Sequence, residues 1–173
     1  MSELAVWFER KFTFDFPVEL NPNLRIRLRG APPRLEELVR GLRPDLLITR
    51  LQEKWSLQEN AGHLLDLEEL WTARVDEFLS GTGVLTAADV SNTKTHQARH
   101  NDRAIDEILA AFRKSRLSWV SRLDSLLPSD FARVARHPRL GVPMRLVDHL
   151  YFVAEHDDHH LARIWELRRL LTR

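Results

Sequence analysis

The sequence predicts an all-α fold: an antiparallel four-helix bundle with an irregular N-terminal arm, in one domain over residues 1–173. Three observations carry this. Long segments ending near Leu79, Leu127 and Leu171 repeat apolar residues at intervals of three and four, the period of a helix that buries one face. None of the 8 Pro falls inside those segments, where it would break them. Trp55-Ser56-Leu57-Gln58-Glu59 contains a capping box, in which Ser56 and Glu59 reciprocally satisfy the free N–H groups of a helix start. A chain of 173 residues is long enough for one self-sufficient core.

The elements follow in order. Residues 1–31 read as an arm packed on the body. Within it, Lys11 to Phe16 alternate polar and apolar, the period of an extended segment with room for one short strand. Pro17 and Pro22 prevent a long helix there. Gly30-Ala31-Pro32-Pro33 opens a helix over about 33–42, with proline in its first turn. A short helix or turn runs from Pro44 to about Gln52. The capped helix runs from Leu57 to about Leu79, with Gly81 past its end and Leu64, Leu67, Trp71, Val75 and Phe78 as its buried stripe. After a loop to about Asn92, a long helix is predicted from Lys94 to Leu127, stopped by Pro128. Pro128 to Pro143 is a connector with room for one helical turn near Phe131, and its length allows a crossover. The last helix spans about Met144 to Leu171.

Composition excludes several function classes. Lys+Arg 26 against Asp+Glu 25 leaves a net charge of +1, too little for a general nucleic-acid binder. No run approaches the ~18–20 apolar residues of a membrane span. The first residues, MSELAVWFERKF, carry acids and no apolar signal core, so the expected location is cytoplasmic. With Cys 0, the chain has no disulfide, thiolate metal site or thiol nucleophile of its own. It has His 8, and histidine is the commonest neutral metal ligand, so the placement of these residues matters most.

His156 and His160 stand four apart on the last helix, one turn apart on one face, which suits two imidazoles sharing a cation. Spacing alone does not single them out, because His96 and His100 have it too. Context does. His149, Phe152, Val153, His156, His160, Ile164 and Leu167 form one stripe, so the second pair sits within a buried face. His96 and His100 lie among Lys94, Thr95, Gln97, Arg99, Asn101 and Asp102, which reads as a solvated face. A third ligand must come from another helix, and His63 on the capped helix is the best candidate, with Gly62 beside it leaving room for close approach. The competing reading of His63 is a core histidine bonded to a carboxylate. His149 lies two turns from His156, roughly 10 Å along the axis, too far to share its ion. His159 points away from His160, and His137 before Pro138 reads as a surface loop residue. Asp66, Glu69, Glu155, Asp157 and Asp158 are acids near the candidate ligands; one or two could orient an imidazole, while the alternative for each is a solvated face or an ion pair. No Ser-His-Asp arrangement and no phosphate-binding glycine loop accompanies them.

Two segments resemble a known family. Lys54-Trp55-Ser56-Leu57-Gln58-Glu59-Asn60-Ala61-Gly62-His63-Leu64 and Tyr151 to Ile164 with its His156-x3-His160 spacing are similar to the two histidine elements of the DinB/YfiT-like superfamily. Arg10-Lys11-Phe12 and Leu28-Arg29-Gly30-Ala31-Pro32 fit one of its branches. The resemblance implies a four-helix bundle with a divalent metal, zinc or nickel, held by His63, His156 and His160. It implies as partner a small-molecule substrate, with no nucleic acid and no membrane; a homodimer is compatible with such a bundle. It offers three activities: a metal-dependent transferase that uses a low-molecular-weight thiol such as bacillithiol or mycothiol on an electrophile, a metal-dependent hydrolase, and a metal-binding stress protein without turnover. It carries over no catalytic residue beyond the ligands.

Overall fold

The computed structural model describes residues 4–172. The first three residues of the arm and Arg173 lie outside the described residues. Among the described residues eight α-helices build a four-helix bundle: α1 (Asn21–Arg29), α2 (Ala31–Val39), α3 (Pro44–Ile48), α4 (Leu57–Asp66), α5 (Glu68–Ser80), α6 (Thr93–Gln97), α7 (Ile105–Asp124) and α8 (Leu146–Leu171). The bundle's four members are α1 with α2, α4 with α5, α7, and α8. Both α7 and α8 pack on α1, α2 and α4, so they separate the first member from the second.

The capping box forms as expected: Ser56 Oγ accepts from the Glu59 N–H at 3.1 Å and the Glu59 carboxylate accepts from the Ser56 N–H at 2.9 Å. The helix it starts is interrupted only at Leu67 and closes on Gly81, whose φ of 77° is the left-handed conformation a helix end favours. At the start of α8, the Asp148 carboxylate accepts from the Arg145 N–H at 2.7 Å. The predicted stripe of α8 from His149 to Leu167 is buried throughout.

Four sequence expectations are corrected. The arm contains a helix: α1 begins at Asn21, because Pro22 falls in its first turn, where proline lacks no needed N–H. Leu24 and Leu28 anchor it, and Gly30 continues in helical geometry into α2. Lys11 to Phe16 form no strand; their rings pack on α8, with Phe12 against Phe152 and Phe16 against Tyr151. The third long helix begins at Ile105, not Lys94. Left-handed Asn92 and Arg99 turn the chain on either side of α6, so this stretch folds back over α4. Finally, the connector before α8 holds its expected turn at Pro128–Ala132 and also a hairpin, β1 (Val134–Arg136) against β2 (Pro143–Arg145), antiparallel with Ala135 opposite Met144.

The core has two apolar halves. One gathers Leu28, Trp71, Phe78, Trp119, Met144 and Phe152; the other gathers Ala31, Leu64, Phe112, Leu161 and Ile164. On every member of the bundle the division falls at the same height: between Leu28 and Ala31, Leu64 and Trp71, Phe112 and Trp119, Ala154 and Leu161. A polar layer fills that height. In it Arg116, fully buried, pairs with Glu68 at 2.6 Å and with Asp157. Arg113, Arg27 and Arg10 make further ion pairs at the periphery. No helix among the described residues is long and apolar enough to cross a membrane.

Candidate metal centre

The same layer carries His63 from α4 and His156 and His160 from α8. Each offers one ring nitrogen, and the three lie within 4.8 Å of one another. Ring centroids are 4.7 Å apart for His63 and His160, 4.6 Å for His156 and His160, and 5.4 Å for His63 and His156. All three rings are buried.

The capped start of α4 sets two of these rings. Asn60, one turn before His63, donates from Nδ2 to the Ser56 carbonyl at 2.8 Å. That bond fixes its amide orientation, so Oδ1 is the acceptor left for His160 Nδ1 at 2.9 Å. His160 must then carry its proton on Nδ1 and present a lone pair at Nε2. His63 is fixed likewise. Its Nδ1 lies 3.0 Å from Thr95 Oγ1, and Thr95 also stands beside the Asp66 carboxylate, which it helps keep ionised. A hydroxyl turned toward that carboxylate accepts from the ring, which again leaves Nε2 free. Asp66 also accepts from His100 Nε2 at 2.8 Å. The chain His63–Thr95–Asp66 with His100 thus fastens one ligand candidate through the loop that folds back over α4. The third ring, His156, has a buried Nδ1 with no partner among the described residues.

Electrostatics keep the lone pairs available. Burial pushes His63 down to about 4, against the opposing pull of Asp66. Burial also holds His156 and His160 well below the ordinary imidazole range, and the neighbouring rings push the same way. Three neutral imidazoles, two with fixed tautomers and one with an orphaned nitrogen, form a donor set that fits a divalent cation.

The cluster forms the floor of a cavity of about 350 Å³. Its walls are aromatic: Trp7 meets His156 edge-on at 5.1 Å, Trp55 lies 4.8 Å from His63, and Trp71 lies 5.8 Å from His156. Phe8, Phe152, Arg74, Arg139 and residues 87–90 also line the cavity. Trp7 and Phe8 come from the arm, so the segment that reads as peripheral in the sequence closes the site.

The family model described as the DinB superfamily matches residues 27–164. The chain belongs to the DinB superfamily. Among solved structures it is similar to YfiT from Bacillus subtilis, described as "a probable metal-dependent hydrolase with an unusual four-helix bundle topology". The two are 22% identical over 95% of this chain and 94% of that chain, with a TM-score of 0.80, a likeness of fold. No curated protein matches the chain.

In this DinB-superfamily bundle the other histidines separate by position. His96 is exposed as expected, at the edge of Trp55. His100 is not on a solvated face: it is 1% exposed, and its ring occupies the space beside Gly62. A helix through 94–100 would turn it outward; the left-handed Arg99 turns it in. His137 is likewise buried rather than a surface residue, because the hairpin folds it onto Phe152 at 4.9 Å and Leu140 N–H donates to its Nδ1. His149 is buried between Trp71 and Phe78, apart from the cluster. His159 lines the cavity against Trp7 but stands outside the three-ring cluster.

Of the acids near the candidate ligands, only Asp66 reaches an imidazole of the cluster, through Thr95. Asp157 serves Arg116, Asp158 serves Arg27 and Arg34, Glu155 serves Arg10 and Arg27, and Glu69 serves Lys94. The groups that orient the rings, Asn60 and Thr95, escape the sequence reading. Asn60 leaves one signal there: an amide three residues before His63, on the same helix face.

Proposed function

We propose that this chain is a metal-dependent enzyme of the DinB superfamily that joins a low-molecular-weight thiol to an electrophilic small molecule. His63, His156 and His160 would hold the divalent cation, zinc or nickel. When bound, that cation would act as a Lewis acid that favours the thiolate form of a thiol.

The observation that carries the reading is the cluster's setting. Three buried, neutral imidazoles open onto one aromatic cavity, and no fourth protein group joins them among the described residues. Such a set leaves room for an exogenous partner. Asn60 and Thr95 keep the protons of His160 and His63 on Nδ1, so the rings present fixed lone pairs. Trp7, Trp55 and Trp71 exclude water from the cavity walls, which strengthens electrostatic interactions inside. Because the chain contains Cys 0, the nucleophilic sulfur must come from a cosubstrate.

A second reading, a metal-dependent hydrolase, is favoured by the description of YfiT. Water attack is aided by a carboxylate base. Among the described residues the one carboxylate lining the cavity, Asp89, is exposed and already accepts from the Ser91 and Thr93 N–H groups at 2.9 and 2.8 Å. That engagement supports the thiol reading over the hydrolytic one.

The test uses zinc- and nickel-loaded protein with 1-chloro-2,4-dinitrobenzene, with and without cysteine as the thiol, and separately with 4-nitrophenyl acetate. In the expected reaction a C–S bond forms, C–Cl breaks, chloride leaves and the thiol proton passes to solvent. Turnover that requires both metal and thiol, and is lost in His160→Ala, supports the transferase. Ester cleavage without thiol supports the hydrolase and overturns the first reading. Absence of both, with metal bound, leaves the third reading of a metal-binding protein without turnover.

A further inference from the structure

The cavity wall carries two arginines without carboxylates. Arg74 is 1% exposed; its Nε and Nη2 both donate to the Thr86 carbonyl, at 3.0 and 2.7 Å, and its Nη1 has no partner among the described residues. The acid whose charge acts on it, Glu77, is taken by the Thr86 N–H at 2.8 Å and by its hydroxyl. Arg139 makes no hydrogen bond among the described residues, and its Nη2 is buried. Its guanidinium lies 5.3 Å from the Phe8 ring, 5.7 Å from Phe152 and 6.0 Å from Trp7. A desolvated charge without a counter-ion is costly, and proteins pair such groups almost without exception. This protein follows that rule nearby: Arg10, Arg27, Arg116 and Arg145 each have a carboxylate. Burial lowers both wall arginines, Arg74 to about 10, and each is close enough for Arg139 to push Arg74 down further. A cation on the three histidines would add to the same positive field.

We propose that the substrate of this cavity is a carboxylate on a flat apolar body, its carboxylate held by Arg139 and the free Nη1 of Arg74 and its body against Trp7, Trp71 and Phe152. The inference rests on the proposed function in taking this cavity as the substrate site. An anion alone would satisfy the arginines and leave the indoles facing water; an apolar body alone would leave the guanidiniums unpaired. A planar carboxylate meets both demands, and guanidinium is the side chain whose geometry matches it.

The test measures binding, so it stands apart from turnover. Quenching of tryptophan fluorescence is followed with phenylacetate and with its neutral isostere phenylacetamide, on chelator-treated and on zinc-loaded full-length protein. Phenylacetate is expected to bind at least tenfold more tightly in both forms. Arg139→Gln should abolish that preference, and Arg139→Lys should retain part of it. Equal binding of the two ligands, or binding of neither, overturns the proposal. So does a preference that needs zinc and survives in Arg139→Gln, since the metal would then be the anion site. Inorganic phosphate that displaces phenylacetate as well as phenylacetate itself does would overturn the assignment of an apolar carboxylate. Loss of thiol-dependent turnover with the preference intact would count against the proposed reaction and leave this inference standing.

Discussion

A Cβ at Gly62 would lie 2.2 Å from Cγ of the His100 ring. The glycine therefore makes room for a histidine from the loop rather than for an ion. Gly62→Ala forces that buried ring to move, and His100 cannot move without releasing Asp66, Thr95 and then His63. The expected cost is about 1–3 kcal/mol, the range of an overpacked core. In a His100→Ala background the same change should be neutral, or stabilising by up to about 1 kcal/mol, because alanine is the better helix former. Thermal melts of the four proteins give the coupling, and a Gly62→Ala cost that is unchanged without the His100 ring would contradict the contact.

Metal content separates the ring cluster from its supports. His63→Ala, His156→Ala and His160→Ala should each lose the metal, whereas His96→Ala should keep it. Asn60→Leu and Thr95→Val should still bind, with affinity lower by about 10–100-fold, because the ring each one orients becomes free to change tautomer. Chelator competition followed by elemental analysis reads both effects. Full occupancy in any one of the three ring variants would remove that residue from the set.

The buried triad predicts a pH dependence. Burial raises Glu68 to about 7, Asp157 adds to the rise, and Arg116 only partly offsets it. A carboxyl whose folded pKa is raised binds more protons in the native state, so its contribution is full below the ordinary value and is lost as pH climbs through the folded one. Native stability should therefore fall between about pH 4.5 and pH 7 relative to Glu68→Gln, by roughly 3 kcal/mol at the top of the window. Denaturant melts of both proteins across that range measure the difference. A constant difference would show that Glu68 stays ionised throughout.

His149 predicts the opposite slope. Both of its ring nitrogens are buried without partners among the described residues, and burial keeps it well below the usual imidazole range. As pH falls below about 6.5 the unfolded chain takes up a proton that the native ring refuses, so the wild type loses stability there. His149→Leu should remove this part of the acid sensitivity and raise stability at neutral pH by about 1–2 kcal/mol, since two unsatisfied polar atoms disappear. Melts at pH 5 and pH 7.5 give both values. A variant less stable than wild type at both pH values would mean that the imidazole has a partner.

Most of the bundle can be read from the chain, because helix period and proline placement are local properties. The capping box, the Gly81 stop and the buried stripe of α8 are all encoded within a few residues of where they act. The errors have one source in common. Helix α1, the inward turn of His100, the hairpin that buries His137 and the orienting roles of Asn60 and Thr95 depend on partners far away in sequence. Local pattern marks His100 as solvated since its neighbours are polar; Gly62, on another helix, makes its burial workable. The same holds for Arg116, whose charge sits in the middle of an otherwise apolar stripe and is tolerated only because Glu68 and Asp157 arrive from two other helices.

Trp7 packs against His156, so the cavity is closed by contact between the opening stretch of the described chain and its final helix. Without α8 the earlier helices supply only His63 from the cluster. A nascent or truncated chain that stops short of His156 has neither the floor of the cavity nor the helix against which its arm folds. The three-ring cluster thus comes into being only when α8 docks, and uptake of metal would report that the bundle has closed around it.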